Sequence, residues 1–308
     1  MRLEPNVSKT PNNVLVSENI PNLGKPAVRK SPWRTAWKKL LRDKAAVAGL
    51  LLLLIILLIT LLAPILPLAN PEKVNLMNRL KPIGTEGHLL GTDDLGRDIF
   101  SRLIWGGRVS ITVGFIAVVI ALFFGAILGL IAGYFQKFFD TVIMRFIDIL
   151  MAFPYVLLAI AIIAALGPGL MNTMIAISIV GIPYYARIVR SSALMFRNME
   201  FVLAERALGA GHIHIIFHHI LPNCLPPIIV AASLDVGWMI LAASGMSFLG
   251  LGAQPPMAEW GVMLSEGQKF IRVAPHVSLL PGFAIFLVVL AVNLVGDGFR
   301  DALDPKTK

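Results

Sequence analysis

Charge-free stretches long enough to cross a lipid bilayer recur along this chain, and they leave it few ways to fold. A helix needs about 20 apolar residues to span the hydrocarbon core, and only helices and closed barrels satisfy their own backbone there. Ala45–Ala63 (AAVAGLLLLLIILLITLLA) is the first such run. It follows 44 polar, Pro- and Asn-containing residues, too long and too polar for a secretory leader, and is expected to be a retained span. A second run lies between Arg108 and Lys137. From Ile149 to Ala186 no charge occurs over 38 residues, more than one helix needs, and Gly167, Pro168 and Gly169 divide it into two. The sequence therefore predicts an all-α membrane protein with six transmembrane helices, at about 45–65, 109–133, 143–166, 170–190, 225–250 and 276–296. They make one domain over 45–300, with tails 1–44 and 301–308, a long loop 66–108 and a second loop 191–224. The first 32 residues, rich in Asn, Pro and Ser without periodicity, are expected to be disordered.

Composition supports this reading: 56% of residues are hydrophobic and only 15% charged, where a soluble domain has about a quarter charged. The net charge of +9 would suggest nucleic acid in a soluble chain, but no recognition motif accompanies it. In a membrane protein Lys and Arg collect on the cytoplasmic side. Ten lie in the N-terminal tail, two in 134–145, four in 187–224 and three in the C-terminal tail, against six in 66–108 and two in 251–272. Both termini and the 191–224 loop are accordingly expected in the cytoplasm, and 66–108 outside. The single Cys224 excludes a disulfide framework.

The 191–224 loop holds AERALGAGHIHIIFHHILPN (Ala204–Asn223), with four of the six histidines. Ile213, Ile216, Phe217 and Ile220 recur at i, i+3, i+4 and i+7, the stripe of an amphipathic helix. That helix should stop before Pro222, because proline disfavours helix in its predecessor. Phe201, Ala204, Leu208 and Val202 suggest a shorter helix upstream, with Gly209 and Gly211 as the break. Three roles compete for the histidines. His214 and His218, at i, i+4, could share a metal, but no acid or thiol lies near enough in sequence to complete a tetrahedral set, so no metal site is expected. They could form a solvated polar face, or belong to a docking surface for a cytoplasmic partner.

Polar groups at membrane depth are the other informative ones, since an acid there faces protein or water. Asp235, about ten residues into the fifth span, is either a cation- or amine-facing group in a translocation cavity or a structural partner to a neighbouring helix. Asp148, near the end of the third span with Arg145, is a second pathway candidate, or an interfacial anchor. Gly125, Ala126, Gly129 and Gly133 mark a close-packing face. Asp93, Asp94, Arg97 and Asp98 around Gly91 and Gly96 are either a polar turn or a contact for an outside protein.

Gly209 followed by Ile220, Leu221 and Pro222 resembles the loop of binding-protein-dependent ABC importer permeases that carries a Glu-Ala-Ala signature six residues before the glycine. GTDDLGRDIFSRLIWGGRVSI (Gly91–Ile111), SFLGLGAQPPMAEWGVML (Ser247–Leu264) and GDGFRDALDP (Gly296–Pro305) are similar to the C-type permease subunit of dipeptide, oligopeptide and nickel importers. The resemblance runs from Trp33 to Pro305. At the signature this chain has Leu203, Ala204 and Glu205, so the usual acid is absent at its first position and another stands two residues later.

The resemblance implies a type I importer permease fold whose 191–224 loop is a coupling element docked on an ATP-binding subunit. The residues it points to there are Ala204, Glu205, Arg206, Gly209, Ala210, Ile213, Ile216, Phe217 and Pro222. It implies a homologous second permease, two ATP-binding subunits that hold ATP and Mg, and an extracytoplasmic solute-binding protein, in a bacterial or archaeal inner membrane. Peptides are the expected solute, with nickel or a metal chelate as the alternative. The sequence itself holds no GxxxxGK[ST] phosphate loop, so no ATP site or catalytic residue is expected here. Of the rival classes, a stand-alone channel has no use for the partner stripe. An intramembrane aspartyl protease finds only VGDG (Val295–Gly298), whose Asp297 lies at the edge of a span and has no Tyr-Asp partner.

Overall fold

The computed structural model describes residues 37–303. The segment 1–32 expected to be disordered, and 304–308 of the C-terminal tail, lie outside the described residues. Nine helices carry the described fold: α1 Lys44–Leu61, α2 Ile99–Phe135, α3 Lys137–Met151, α4 Tyr155–Leu166, α5 Leu170–Arg197, α6 Glu200–Ala207, α7 His212–Phe248, α8 Trp260–Gly267 and α9 His276–Leu303. Short 3₁₀ turns lie at Leu76–Asn78 and Gln268–Phe270, and no strand forms among the described residues beyond two isolated bridges. Five helices, α1, α2, α5, α7 and α9, are each long and apolar enough to cross a membrane.

The third expected span, 143–166, departs from a straight helix. It is a broken pair, α3 and α4, meeting at 92°. Pro154 caps α4 and biases Phe153 away from helix. The two halves differ in chemistry: Lys137, Asp140, Arg145 and Asp148 give α3 a polar face, whereas α4 is wholly apolar apart from Tyr155. Two ion pairs fasten α3 to α5, Asp140 with Arg190 and Asp148 with Arg187, each with a 2.7 Å contact.

The α2–α5 pair is the centre of the bundle, and small residues explain how it closes. A Cβ placed on Gly129 would sit 2.6 Å from the Ala186 carbonyl oxygen; one on Gly125 would meet the Tyr185 Cβ at 2.5 Å. Backbones this close gain dispersion contacts that lipid cannot offer. The close-packing face read from the glycine spacing is thus the α2–α5 seam. Around it Val113, Ala117, Ala121, Ile177, Tyr185 and Met239 form the largest buried cluster.

The loop end of the bundle is fixed by buried charge. Arg97 and Arg102, each 1% exposed, share the Glu266 carboxylate at 2.7 and 3.2 Å, and the Arg97 Nε donates to Asp93 at 2.6 Å. Asp98 caps α2 by accepting from the Ser101 amide at 2.8 Å and contacts His88 at 3.0 Å. The motif expected to be a polar turn or an outside contact is therefore largely interior. Glu259 caps α8, accepting from the Val262 amide at 3.0 Å and from the Ser110 hydroxyl at 2.7 Å, while the Trp260 indole donates to the Leu103 carbonyl at 2.8 Å. Thus α8 is wedged against the start of α2.

At the other end, α1 and the last turns of α9 meet: a Cβ on Gly298 would fall 2.4 Å from that of Ala46. Asn223 and Pro226 of α7 share a cleft of about 780 Å³ with Arg300 and Leu303 of α9. Both described chain ends and the histidine segment are therefore at one end of the bundle, opposite the 66–98 loop.

Candidate functional site

The histidine segment contains two helices and an elbow, as its glycines suggest. Helix α6 ends in a Schellman turn: the Ala210 amide donates to the Glu205 carbonyl at 3.0 Å and the Gly209 amide to the Arg206 carbonyl at 3.1 Å. Gly209 occupies the left-handed position of that turn with φ +86°, and nothing lies within 4 Å of where its Cβ would be. Glycine is needed there for its backbone, not for space.

Beyond the elbow the structure corrects the sequence reading twice. The helix does not stop before Pro222. It runs through as α7, because residues Ile215–Ile220 form a π-turn in which the Leu221 amide reaches back five residues to the Ile216 carbonyl. The wider turn re-registers the hydrogen bonds, so a residue without an N–H is accommodated where a regular helix would clash. The same turn splits the apolar stripe. Ile215 and Ile220, five apart, are fully buried with Val202, Cys224, Tyr134, Val189 and Ala193. Ile216 and Ala210 pack at the edge of that cluster. Ile213 and Phe217 point away and are 75% and 58% exposed, beside Leu208 at 84%. Ile215 was missed because its partner is a π spacing away, which α-helical periodicity does not count.

One side of the segment is thus rooted in α2 and α5, and the other presents apolar side chains outward. The Tyr134 hydroxyl and His212 Nδ1 are 2.8 Å apart and the Arg206 guanidinium lies 5.8 Å from the Tyr134 ring centroid, which ties both helices to the end of α2. Of the predicted coupling residues, Ala204, Arg206, Gly209, Ile213, Phe217 and Pro222 are exposed, Glu205, Ala210 and Ile216 half-buried. His214 and His218 stack, centroids 4.3 Å apart. The acid not found near them in sequence comes from across the elbow: Glu205 Oε1 lies 3.5 Å from His219 Nε2.

The pathway candidates separate. Asp235 is half-buried on α7, and the Tyr185 hydroxyl donates to its Oδ2 at 2.7 Å. Its structural partner on a neighbouring helix is therefore present. Tyr184, the residue before Tyr185, lines the 780 Å³ cleft between α5, α7 and α9, together with Leu234. Asp148 is bound to Arg187 on the exposed face of α3, half-exposed, and shares no contact with Asp235.

This architecture has close relatives. Residues 125–308 match the family described as binding-protein-dependent transport system inner membrane component, and residues 31–82 match the N-terminal transmembrane domain of oligopeptide transport permease C. The chain is 53% identical over 278 residues to the dipeptide transport system permease protein DppC of Alkalihalophilus pseudofirmus, covering 90% of this chain and 91% of that one. It is 45% identical to the di/tripeptide transport system permease protein DppC of Pseudomonas aeruginosa (94% and 97% covered) and 44% identical to the glutathione transport system permease protein GsiD of Pectobacterium atrosepticum (91% and 93%). Its fold is shared with a chain of the inward-facing MetNI methionine ABC transporter, at a TM-score of 0.54 and 18% identity over 67% of this chain and 98% of that one. The chain belongs to the binding-protein-dependent transport system inner membrane component family, as a multi-pass permease with the N-terminal domain of its permease C branch.

Proposed function

We propose that this permease forms half of the translocation pathway of an ATP-driven importer of dipeptides or short oligopeptides. In this reading the Glu200–Pro222 segment docks on an ATP-binding subunit, and that subunit and its twin carry the ATP and Mg. A homologous second permease completes the pathway, and an extracytoplasmic binding protein delivers solute to the loop end. The histidine end faces the cytoplasm with both termini, supported by the excess of Lys and Arg in the segments gathered there.

One observation carries the coupling assignment: the segment is anchored through fully buried Val202, Ile215 and Ile220 while Leu208, Ile213 and Phe217 stay exposed beyond the bundle. An apolar face outside the membrane needs a partner groove, and a push on it passes through the anchor into α2 and α5. Peptide relatives support the solute class, and the nickel alternative draws no support from them. Asp235 is the group we assign to the pathway, as an acid beside the cleft that can face a peptide's ammonium group. Asp148, neutralised by Arg187, serves instead to hold α3. The test is uptake in vesicles reconstituted with the ATP-binding subunits, the second permease and the binding protein. Di- or tripeptide uptake driven by ATP is expected; uptake of Ni²⁺ without peptide would overturn the solute assignment.

A further inference from the structure

We propose that Glu205, His214 and His219 form a binding site for a borderline divalent metal ion of the zinc class, clipping α6 to α7 across the Gly209 elbow. One ligand atom from each of the three lies within 4.8 Å of the other two. The donor set, two imidazoles and a carboxylate, is one that zinc, nickel and copper favour over magnesium or calcium. Two donors bound to tetrahedral zinc at about 2.0–2.1 Å stand roughly 3.4 Å apart. Glu205 Oε1 and His219 Nε2 are already 3.5 Å apart. His219 Nε2 is also buried and makes no hydrogen bond. A buried ring nitrogen whose nearest acceptor is a carboxylate oxygen 3.5 Å away, too far for a good hydrogen bond, costs free energy that a shared cation would offset.

The surroundings hold the donors in place. Phe201 lies against the His219 ring at 6.2 Å between centroids, and Asn223 donates to the His219 carbonyl at 2.6 Å. His218 stacks on His214 at 4.3 Å. Glu205 sits on the last turn of α6, whose carbonyl the Schellman turn engages. Closing the site from a separation of up to 4.8 Å to roughly 3.4 Å needs His214, the exposed member, to move inward by at most about 1.4 Å, and a fourth position remains open to water. Metal binding to the chain does not rest on the coupling reading.

Tag-free full-length chain in detergent, stripped with chelator, would be titrated with Zn²⁺. One ion per chain with micromolar or tighter affinity is expected, and zinc should slow amide exchange across residues 200–220. Glu205→Gln and His219→Gln should each weaken binding roughly tenfold or more, whereas His276→Gln, at the loop end beside the Lys81 carbonyl, should leave it unchanged. X-ray absorption of the zinc-loaded wild-type chain should show two imidazoles in the metal shell, a result that does not depend on how any variant folds. Absence of saturable binding, a shell lacking imidazole, or wild-type affinity in both Glu205→Gln and His219→Gln would overturn the site.

Discussion

Replacing Gly209 by valine isolates the elbow from everything else in the molecule. No atom lies within 4 Å of the added Cβ, so the whole penalty is conformational. An L-residue held in the left-handed region costs about 1–2 kcal/mol, and a β-branched one more. The chain can escape only by abandoning the Schellman turn, which forfeits two hydrogen bonds worth about 0.5–1.5 kcal/mol each. Whichever route is cheaper, the native elbow loses about 2 kcal/mol, a roughly 30-fold fall in its population relative to alternatives. The spans, which satisfy their own backbone, are untouched. Reconstituted with the ATP-binding subunits and loaded binding protein, Gly209→Val should insert at normal levels yet lose most binding-protein-stimulated ATP hydrolysis and uptake. Gly209→Asn, whose side chain tolerates the left-handed region, should retain most of both. Full stimulation in the valine variant, or equal losses in both variants, would refute the argument that the backbone of this turn transmits the stroke.

Three further outcomes follow from the geometry. Asp235→Asn should reduce uptake while leaving the assembled complex at normal abundance, measured together by transport and by yield of the purified complex; lost assembly would assign Asp235 to structure alone. Glu266→Gln removes the carboxylate shared by Arg97 and Arg102, leaving two buried guanidinium groups with Asp93 as their main counter-charge. It should destabilise the loop end by about 3 kcal/mol, read as a lower Tm in detergent. A cysteine at exposed Glu86 should react with an impermeant thiol reagent in intact cells while one at exposed Ala204 should not; the reverse pattern would invert the orientation.

How much of this was visible in the residues depends on the range of the interaction. Spans were legible because each charge-free run is a local quantity, and the Gly125–Gly129–Gly133 spacing announced a close seam because a helix face repeats every four residues. The elbow was legible too, since only the backbone of Gly209 decides it. The bend between α3 and α4 was not, although Pro154 and the charges of α3 were available signals, because a charge-free count runs straight across the proline. Pro222 misled for the opposite reason: the rule that proline ends a helix assumes α-helical hydrogen bonding, and the π-turn changes the register. The Arg97–Glu266 and Glu205–His219 contacts join residues far apart in the chain or across a turn, and their burial depends on packing that spacing does not encode.

The central claim is that the exposed face of the histidine segment seats on an ATP-binding subunit, and the affinity of that subunit for the permease tests it directly. Phe217 is 58% exposed in the free chain. Burying the rest of a side chain worth about 1.5–3 kcal/mol when fully buried leaves roughly 1–2 kcal/mol to be gained at the contact. Phe217→Ala should therefore weaken association about 5–30-fold. Val273→Ala, apolar and more exposed still at 80% but at the loop end, should not change it. Measured in nanodiscs with purified ATP-binding subunits, that contrast is the predicted result. Unchanged affinity for Phe217→Ala, or the same loss for Val273→Ala, would contradict the coupling assignment.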